Sequence, residues 1–103
     1  MLPAIEYIED HPEEPLGNRL LAGLCSMSEA YFIRQFRALA GQSPGRYVLE
    51  RRITLAEQRL LFTAASIDQI AEGLGFGNRF YFSRMFTRQV GISPAAYRKA
   101  VRV

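Results

Sequence analysis

The stretch YFSRMFTRQVGISPAAY, residues 81–97, repeats an earlier stretch, YFIRQFRALAGQSPGRY, residues 31–47. Eight of the seventeen positions are identical at a constant spacing of fifty residues. Upstream, Ala22 corresponds to Ala71 at a spacing of forty-nine, so the second copy has one extra residue in its turn. Each copy therefore predicts one structural unit: a short helix, a tight turn and a longer helix.

Start and stop signals extend this interpretation to the whole chain. Proline and small polar residues precede each apolar periodic segment, and glycines follow several of them. No stretch alternates apolar and polar residues in the manner of a strand, so the predicted fold is all-α with about seven helices. The predicted helices are residues 3–11, 15–25, 29–40, 45–62, 67–74, 79–90 and one that starts at Pro94.

The spacing of apolar residues predicts which side of each helix is buried. The predicted organisation is an N-terminal helix and first helix-turn-helix over residues 1–44, a connecting helix over 45–62, and a second helix-turn-helix with a C-terminal helix over 63–103, together forming one domain. The predicted inward residues are Ile5, Ile8, Leu20, Leu21, Leu24, Phe32, Phe36, Leu49, Ile53, Ala56, Leu60, Ile67, Ile70, Ala71, Phe82, Phe86 and Tyr97.

Charge is distributed unevenly along the chain. The net charge is +3, but residues 1–15 hold five acidic and no basic residues, which leaves thirteen basic and five acidic residues and a charge of +8 in the remainder. Such a remainder favours a polyanionic partner, although twelve arginines against one lysine can also reflect genomic base composition. No apolar run approaches the about 20 residues that a bilayer crossing needs, so we expect a cytoplasmic protein.

The residue inventory excludes most catalytic and metal chemistry. Cys25 and His11 are the only cysteine and histidine, which falls short of a zinc-ligand set and leaves no nucleophile paired with a base. We therefore expect no enzyme activity, no cofactor and no metal. Two stacked helical pairs also fit a solenoid or a plain bundle, but solenoids generally need three or more repeats. A helix-turn-helix, in which a small residue such as Ala22 or Ala71 lets two helices cross closely, fits better.

The stretch IAEGLGFGNRFYFSRMFTRQVGISPAAYRK, residues 70–99, resembles the signature of the AraC/XylS family of bacterial transcription regulators. The resemblance covers about Ile5 to Lys99. It implies two helix-turn-helix subdomains joined by one long helix, with recognition helices that enter successive major grooves of double-stranded DNA. It also implies contact with RNA polymerase and transcription activation. In some relatives an effector-binding domain precedes this module, but nothing in this sequence resembles an effector pocket.

Helical geometry selects the residues that face DNA. If Phe32 and Phe36 point inward, Ala30, Arg34 and Arg37 lie on the opposite face of the helix at about 100° per residue. Arginine grips guanine with two hydrogen bonds, and the family's base-contacting positions match the two repeated arginines. The same arginines also suit a surface ion pair or a phosphate. The predicted base-reading residues are Ala30, Ile33, Arg34, Arg79, Phe80, Ser83 and Arg84, with Thr87 also outward; the predicted phosphate contacts are Arg37, Ser43, Arg46, Arg88, Ser93 and Arg98.

Two of these positions depart from the family pattern, because Phe80 and Ile33 stand where polar residues are common. Neither side chain can hydrogen-bond a base, so we hypothesise that both contact thymine methyl groups. The alternative for Phe80 is that it folds back beside Phe76.

The connecting helix spans roughly 25 Å, and the flanking units extend this toward the ~34 Å between successive major grooves. One chain, expected to be monomeric, then covers two grooves. Because the two recognition helices differ in sequence, the DNA site should lack two-fold symmetry. A helical protein-interaction or RNA-binding module is the alternative function.

Overall fold

The computed structural model describes residues 1–101 and shows seven α-helices with no strand among them. The all-α prediction is therefore confirmed. Residues 102 and 103, which the second predicted subdomain includes, lie outside the described residues. No helix in the described part is long and apolar enough to cross a membrane. The helices are α1 (Leu2–Asp10), α2 (Asn18–Leu24), α3 (Glu29–Ala40), α4 (Pro44–Phe62), α5 (Ile67–Gly73), α6 (Arg79–Val90) and α7 (Pro94–Val101).

Local capping fixes the ends of the two helices that carry the repeat. The Ser28 side chain accepts a hydrogen bond from the Tyr31 backbone N–H at 3.3 Å, which satisfies a free donor at the start of α3. Asn78 does the same for α6. Gly41 ends α3 in the left-handed conformation at a φ of 74°, a conformation that side chains with a Cβ disfavour. The predicted boundaries of α3 are thus confirmed.

The chain divides into two compact units, and the division falls within α4, between Arg51 and Arg52. The first unit holds α1 to α3 and the start of α4, and the second holds the rest of α4 with α5 to α7. Each unit therefore contains one copy of the repeated motif and part of the long helix.

Aromatic packing forms the centre of the first unit. Phe32 and Phe36 are fully buried, with ring centroids 5.6 Å apart, and the Tyr47 ring meets Phe36 edge-on at 5.4 Å. The Tyr47 hydroxyl donates to Glu9 of α1 at 3.3 Å, and Arg51 pairs with the same carboxylate at 2.8 Å. Burial, with help from the neighbouring carboxylate, raises the pKa of Tyr47. These contacts join α1, α3 and α4.

The second unit repeats this arrangement with other partners. Phe82 and Phe86 are fully buried with centroids 5.7 Å apart, and Tyr97 meets Phe86 edge-on at 5.5 Å. Here the tyrosine hydroxyl donates to Glu57 of α4 at 3.1 Å. Burial raises the pKa of Tyr97, as in the first unit. The prediction that Tyr97 packs back on the repeat is confirmed.

Two predicted core positions in α2 are wrong, and some others are only half-buried. Leu20 and Leu24 are 40% and 38% exposed, because α2 turns Leu21 and Ala22 toward the core instead. Val48 is buried in α4, whereas Leu49 is only half-buried. Ile5 and Ile67, also predicted inward, are half-buried. Ile5 packs against the core of the first unit, so its inward position is confirmed.

The turn inside each helix-turn-helix has the same backbone hydrogen bond. The Met27 N–H donates to the carbonyl of Ala22, and the Phe76 N–H donates to the carbonyl of Ala71, each at 3.0 Å. Both alanines are buried, as expected of small residues between two packed helices. The two turns therefore share a backbone hydrogen bond as well as part of their sequence.

Replacing Gly41 by alanine should lower the free energy of unfolding by about 1 kcal/mol, because a Cβ is strained at its positive φ although no atom lies within 4 Å of the added carbon. Gly45→Ala is the matched control: Gly45 lies in the first turn of α4 with the same open surroundings. Its replacement should raise stability by about 0.5 to 1 kcal/mol. Urea unfolding of both variants measures the difference, and equal effects would contradict the assigned backbone strain.

Candidate nucleic-acid interface

Burying the phenylalanine pairs leaves the opposite face of α3 and of α6 in solvent. In both helices one of the repeated arginines, Arg34 or Arg84, lies in the middle of this exposed face. The structure places the predicted outward residues on the protein surface, and their contact with DNA stays a prediction. The exposed residues are Ala30, Arg34 and Arg37 on α3, and Phe80, Arg84 and Thr87 on α6.

Ile33 of α3 and Ser83 of α6, which lie beside this face, are less exposed than the residues on it. Ile33 is half-buried and packs against the core of the first unit, so only part of its side chain is available to a partner. Ser83 is also half-buried, and its backbone carbonyl accepts a hydrogen bond from the Thr87 hydroxyl at 2.7 Å. Both residues therefore contribute less surface than the fully outward positions of these helices.

Phe80 points into solvent, with 73% of its surface exposed. The Phe76 ring packs on Phe82 at 4.9 Å and on Tyr81 at 6.1 Å. Of the two alternatives for Phe80, the structure therefore favours the outward position. The Arg79 guanidinium lies 5.1 Å from the centre of the Phe80 ring and 3.6 Å from Asp68, so Arg79 already has two partners in its own unit.

The start of α4 forms an open basic pocket in the first unit. Ser43 accepts a hydrogen bond from the Arg46 backbone N–H at 3.2 Å and caps the helix. Arg37 and Gln42 also line this pocket, and Arg46 pairs with Glu50 at 3.2 Å on an exposed surface. The positive end of a helix dipole favours an anion, although here Pro44 has no N–H and Ser43 already accepts that of Arg46. The structure thus brings together three residues that were predicted to contact phosphate, and Gln42, which was not among the predicted residues, lines the same pocket.

The corresponding start of α7 in the second unit is less basic. Ser93 caps α7 by accepting from the Ala96 N–H at 3.1 Å. At a spacing of fifty residues, Thr87 and Ala96 stand where the first unit has Arg37 and Arg46. Arg88 is exposed on the last turn of α6.

Arg98 has a different position from the one expected of a phosphate contact. Its guanidinium donates to the backbone carbonyls at the end of α4, at 3.0 Å to Leu60 and 3.2 Å to Thr63. The last carbonyls of a helix lack partners within the helix, and a basic side chain satisfies them. Nε and Nη2 of Arg98 are therefore used within the second unit, and a phosphate contact by this residue stays a prediction.

Among residues 1–101, one group has the ligand types that a metal ion needs: His11, Glu13 and Glu14, whose ligand atoms lie within 4.8 Å of one another. His11 Nδ1 is already 2.8 Å from a Glu14 oxygen, and the Tyr7 hydroxyl donates to the other oxygen at 2.7 Å. This hydrogen bond raises the pKa of Tyr7. These groups satisfy one another at the end of α1.

Comparison with known sequences gives a consistent result. A family model described as a helix-turn-helix domain matches residues 21–100. The regulatory protein SoxS of Salmonella typhimurium is 36% identical over 94 residues, which cover 91% of this chain and 88% of SoxS. The MmsAB operon regulatory protein of Pseudomonas aeruginosa is 32% identical over 96 residues, 93% of this chain but only 31% of that protein.

Solved structures agree with these sequence matches. The DNA-binding domain of the transcriptional factor AdpA, solved in complex with a target DNA, superposes with a TM-score of 0.90 at 33% identity, over 94% of this chain and 87% of that one. A transcriptional regulator of the AraC-type DNA-binding class from Chromobacterium violaceum gives a TM-score of 0.88 at 32% identity, over 95% and 88% of the two chains.

Arg98→Met should lower the free energy of unfolding by about 1 kcal/mol, because the carbonyls at the end of α4 lose a charged donor. Lys99→Met is the matched control, since Lys99 shares the last turn of α7 but is exposed. Its replacement should change stability by less than about 0.5 kcal/mol. Urea denaturation compares the two variants, and equal losses would show that the α4 contacts of Arg98 contribute nothing specific.

Proposed function

This chain belongs to the AraC-type family of helix-turn-helix DNA-binding domains of transcription regulators, and we propose that it reads one DNA site with α3 and α6 as recognition helices in successive major grooves. The repeat of an exposed arginine-bearing face, opposite a buried phenylalanine pair, supports this most directly. An α-helix fits the major groove, and its outward side chains then meet the base edges.

We assign sequence reading to the exposed face. Arg34 and Arg84 have the reach and the two parallel donors that guanine O6 and N7 accept. Arg79 is a third candidate, and one nitrogen of its guanidinium already pairs with Asp68 at 3.6 Å. Phe80 and the exposed part of Ile33 supply apolar contact to thymine methyl groups, and Ala30 and Ser83 complete the set of residues that we assign to base edges. Because these residues differ between α3 and α6, one chain binds a site without two-fold symmetry and needs no second copy.

We assign DNA positioning to the basic residues beside this face. Arg37, Ser43 and Arg46 at the start of α4, with Arg88 and Ser93 in the second unit, suit phosphate oxygens. Phosphate contacts fix the register of a protein on DNA without carrying sequence information.

The biological setting belongs to the same proposal. Regulators with this domain act on genes, so we expect the chain to function in the cytoplasm, bound to DNA. Contact with RNA polymerase and activation of transcription are supported by the family alone.

Arg84→Ala and Arg88→Ala form a matched test, since both residues are exposed on α6 and each variant removes one positive charge. Arg84→Ala should cost about 1 to 3 kcal/mol of discrimination at one base pair. Arg88→Ala should weaken all duplexes uniformly and reduce the slope of log affinity against log salt by about one. Fluorescence anisotropy on a duplex selected from a random pool measures both quantities.

The same titration distinguishes this function from its rivals. A protein-interaction or RNA-binding module would show no preference for one duplex over scrambled DNA. Identical behaviour of the two arginine variants would contradict the division between base reading and phosphate contact.

Phe80→Ser should weaken binding to the selected duplex by about 1 kcal/mol if the exposed ring covers a thymine methyl group. The parent complex then buries apolar surface of the ring and of the methyl group, and the variant does not. Uracil lacks that methyl, so a uracil-for-thymine duplex should bind the parent protein more weakly and the variant almost unchanged. Equal affinity of the parent protein for both duplexes at every thymine position would exclude the methyl contact.

A further inference from the structure

Each repeated arginine lies beside a tyrosine three residues earlier in the same helix. The guanidinium carbon of Arg34 is 6.0 Å from the centre of the Tyr31 ring, and that of Arg84 is 5.8 Å from the centre of the Tyr81 ring. Residues three apart are neighbours on a helix surface, and a cation near an aromatic face is attracted by the ring. The sequence interpretation assigned the two tyrosines no role, although both are identical between the copies.

Neither tyrosine is a core residue, since Tyr31 is 46% and Tyr81 is 41% exposed. Their use differs from that of the repeat's other tyrosines, Tyr47 and Tyr97, which pack on the buried phenylalanines and donate to carboxylates. The neighbour that the two rings have in common across both units is the adjacent arginine.

The ring in the second unit is itself held in place. Tyr81 packs against Phe76, and Phe76 packs against the fully buried Phe82. A fixed ring restricts a long side chain that otherwise samples many rotamers. An arginine held in one direction loses less conformational entropy when it meets a base, so its two hydrogen bonds form with better geometry.

We propose that Tyr31 and Tyr81 are positioning residues that hold the guanidinium groups of Arg34 and Arg84 for base reading. They act through the arginines and make no base contact of their own. The inference rests on the proposed base reading by these arginines. Each recognition helix would then have one more residue that determines specificity, and neither tyrosine is among the residues predicted to contact DNA.

The test is a double-mutant cycle in the second unit, using the full chain and the duplex selected from a random pool. Arg84→Ala first identifies the base pair at which discrimination is lost. The variants Tyr81→Leu, Tyr81→Phe and Tyr81→Leu with Arg84→Ala are then compared by the ratio of affinities for the selected duplex and for the duplex changed at that base pair. Discrimination is the readout because a general loss of structure weakens both duplexes together.

Tyr81→Leu should reduce this ratio about two- to fivefold, the effect expected of an exposed cation–π contact. Tyr81→Phe should keep the ratio, since it retains the ring and removes only the hydroxyl. In the Arg84→Ala background, Tyr81→Leu should change nothing further. Tyr31→Leu with Arg34→Ala gives the same comparison in the first unit, and circular dichroism melting verifies that each variant folds.

An unchanged ratio for folded Tyr81→Leu and Tyr31→Leu would overturn the positioning role and leave base reading intact. A loss that persists in the arginine-free backgrounds would also overturn it, because the rings would then contact DNA directly. If Arg84→Ala and Arg34→Ala alone leave every base preference intact, the proposed base reading fails and the positioning role fails with it.

Discussion

The edge-on contact between a buried phenylalanine and the tyrosine that ends the repeated motif is the interaction on which each unit depends. Phe36 with Tyr47, and Phe86 with Tyr97, join the recognition helix to the helix that follows it. Such pairs contribute about 0.5 to 1.5 kcal/mol beyond their buried area. Their greater importance is directional: once these phenylalanines face the core, the rotation of α3 and α6 is fixed and the arginine-bearing side faces solvent.

The two units use this common frame differently. In the first unit, the Glu9 carboxylate accepts a hydrogen bond from Tyr47 and forms an ion pair with Arg51. The start of α4 also has an open pocket lined by Arg37 and Arg46. In the second unit, the carboxylate partner of the tyrosine comes from α4, and Arg98 caps that helix. A duplicated motif has thus kept its packing while its charges have diverged. The surfaces that flank the two recognition helices are therefore not equivalent, although the packing beneath them is.

Much of this site was predictable because its signals are local. Caps such as Ser28 and Asn78 satisfy donors three residues away, so the ends of α3 and α6 follow from neighbouring residues. The phenylalanine spacing likewise predicts the outward face. Phe80 was ambiguous in sequence, since an aromatic residue beside Phe76 suits either the core or solvent. The packing of Phe76 on Phe82 and Tyr81 favours the solvent position.

The sequence by itself determined the all-α class, the duplicated helix-turn-helix and the faces of the recognition helices, because capping and periodicity operate within a few residues of one chain segment. Only the tertiary structure decided that Leu21, but not Leu20 or Leu24, is buried in α2, since a short helix with apolar residues on two sides is oriented by what packs against it. The same holds for Arg98, whose partners lie 35 to 39 residues away in the chain. A contact over that separation has no local pattern, and it exists only because the end of α4 and the arginine of α7 meet in the fold.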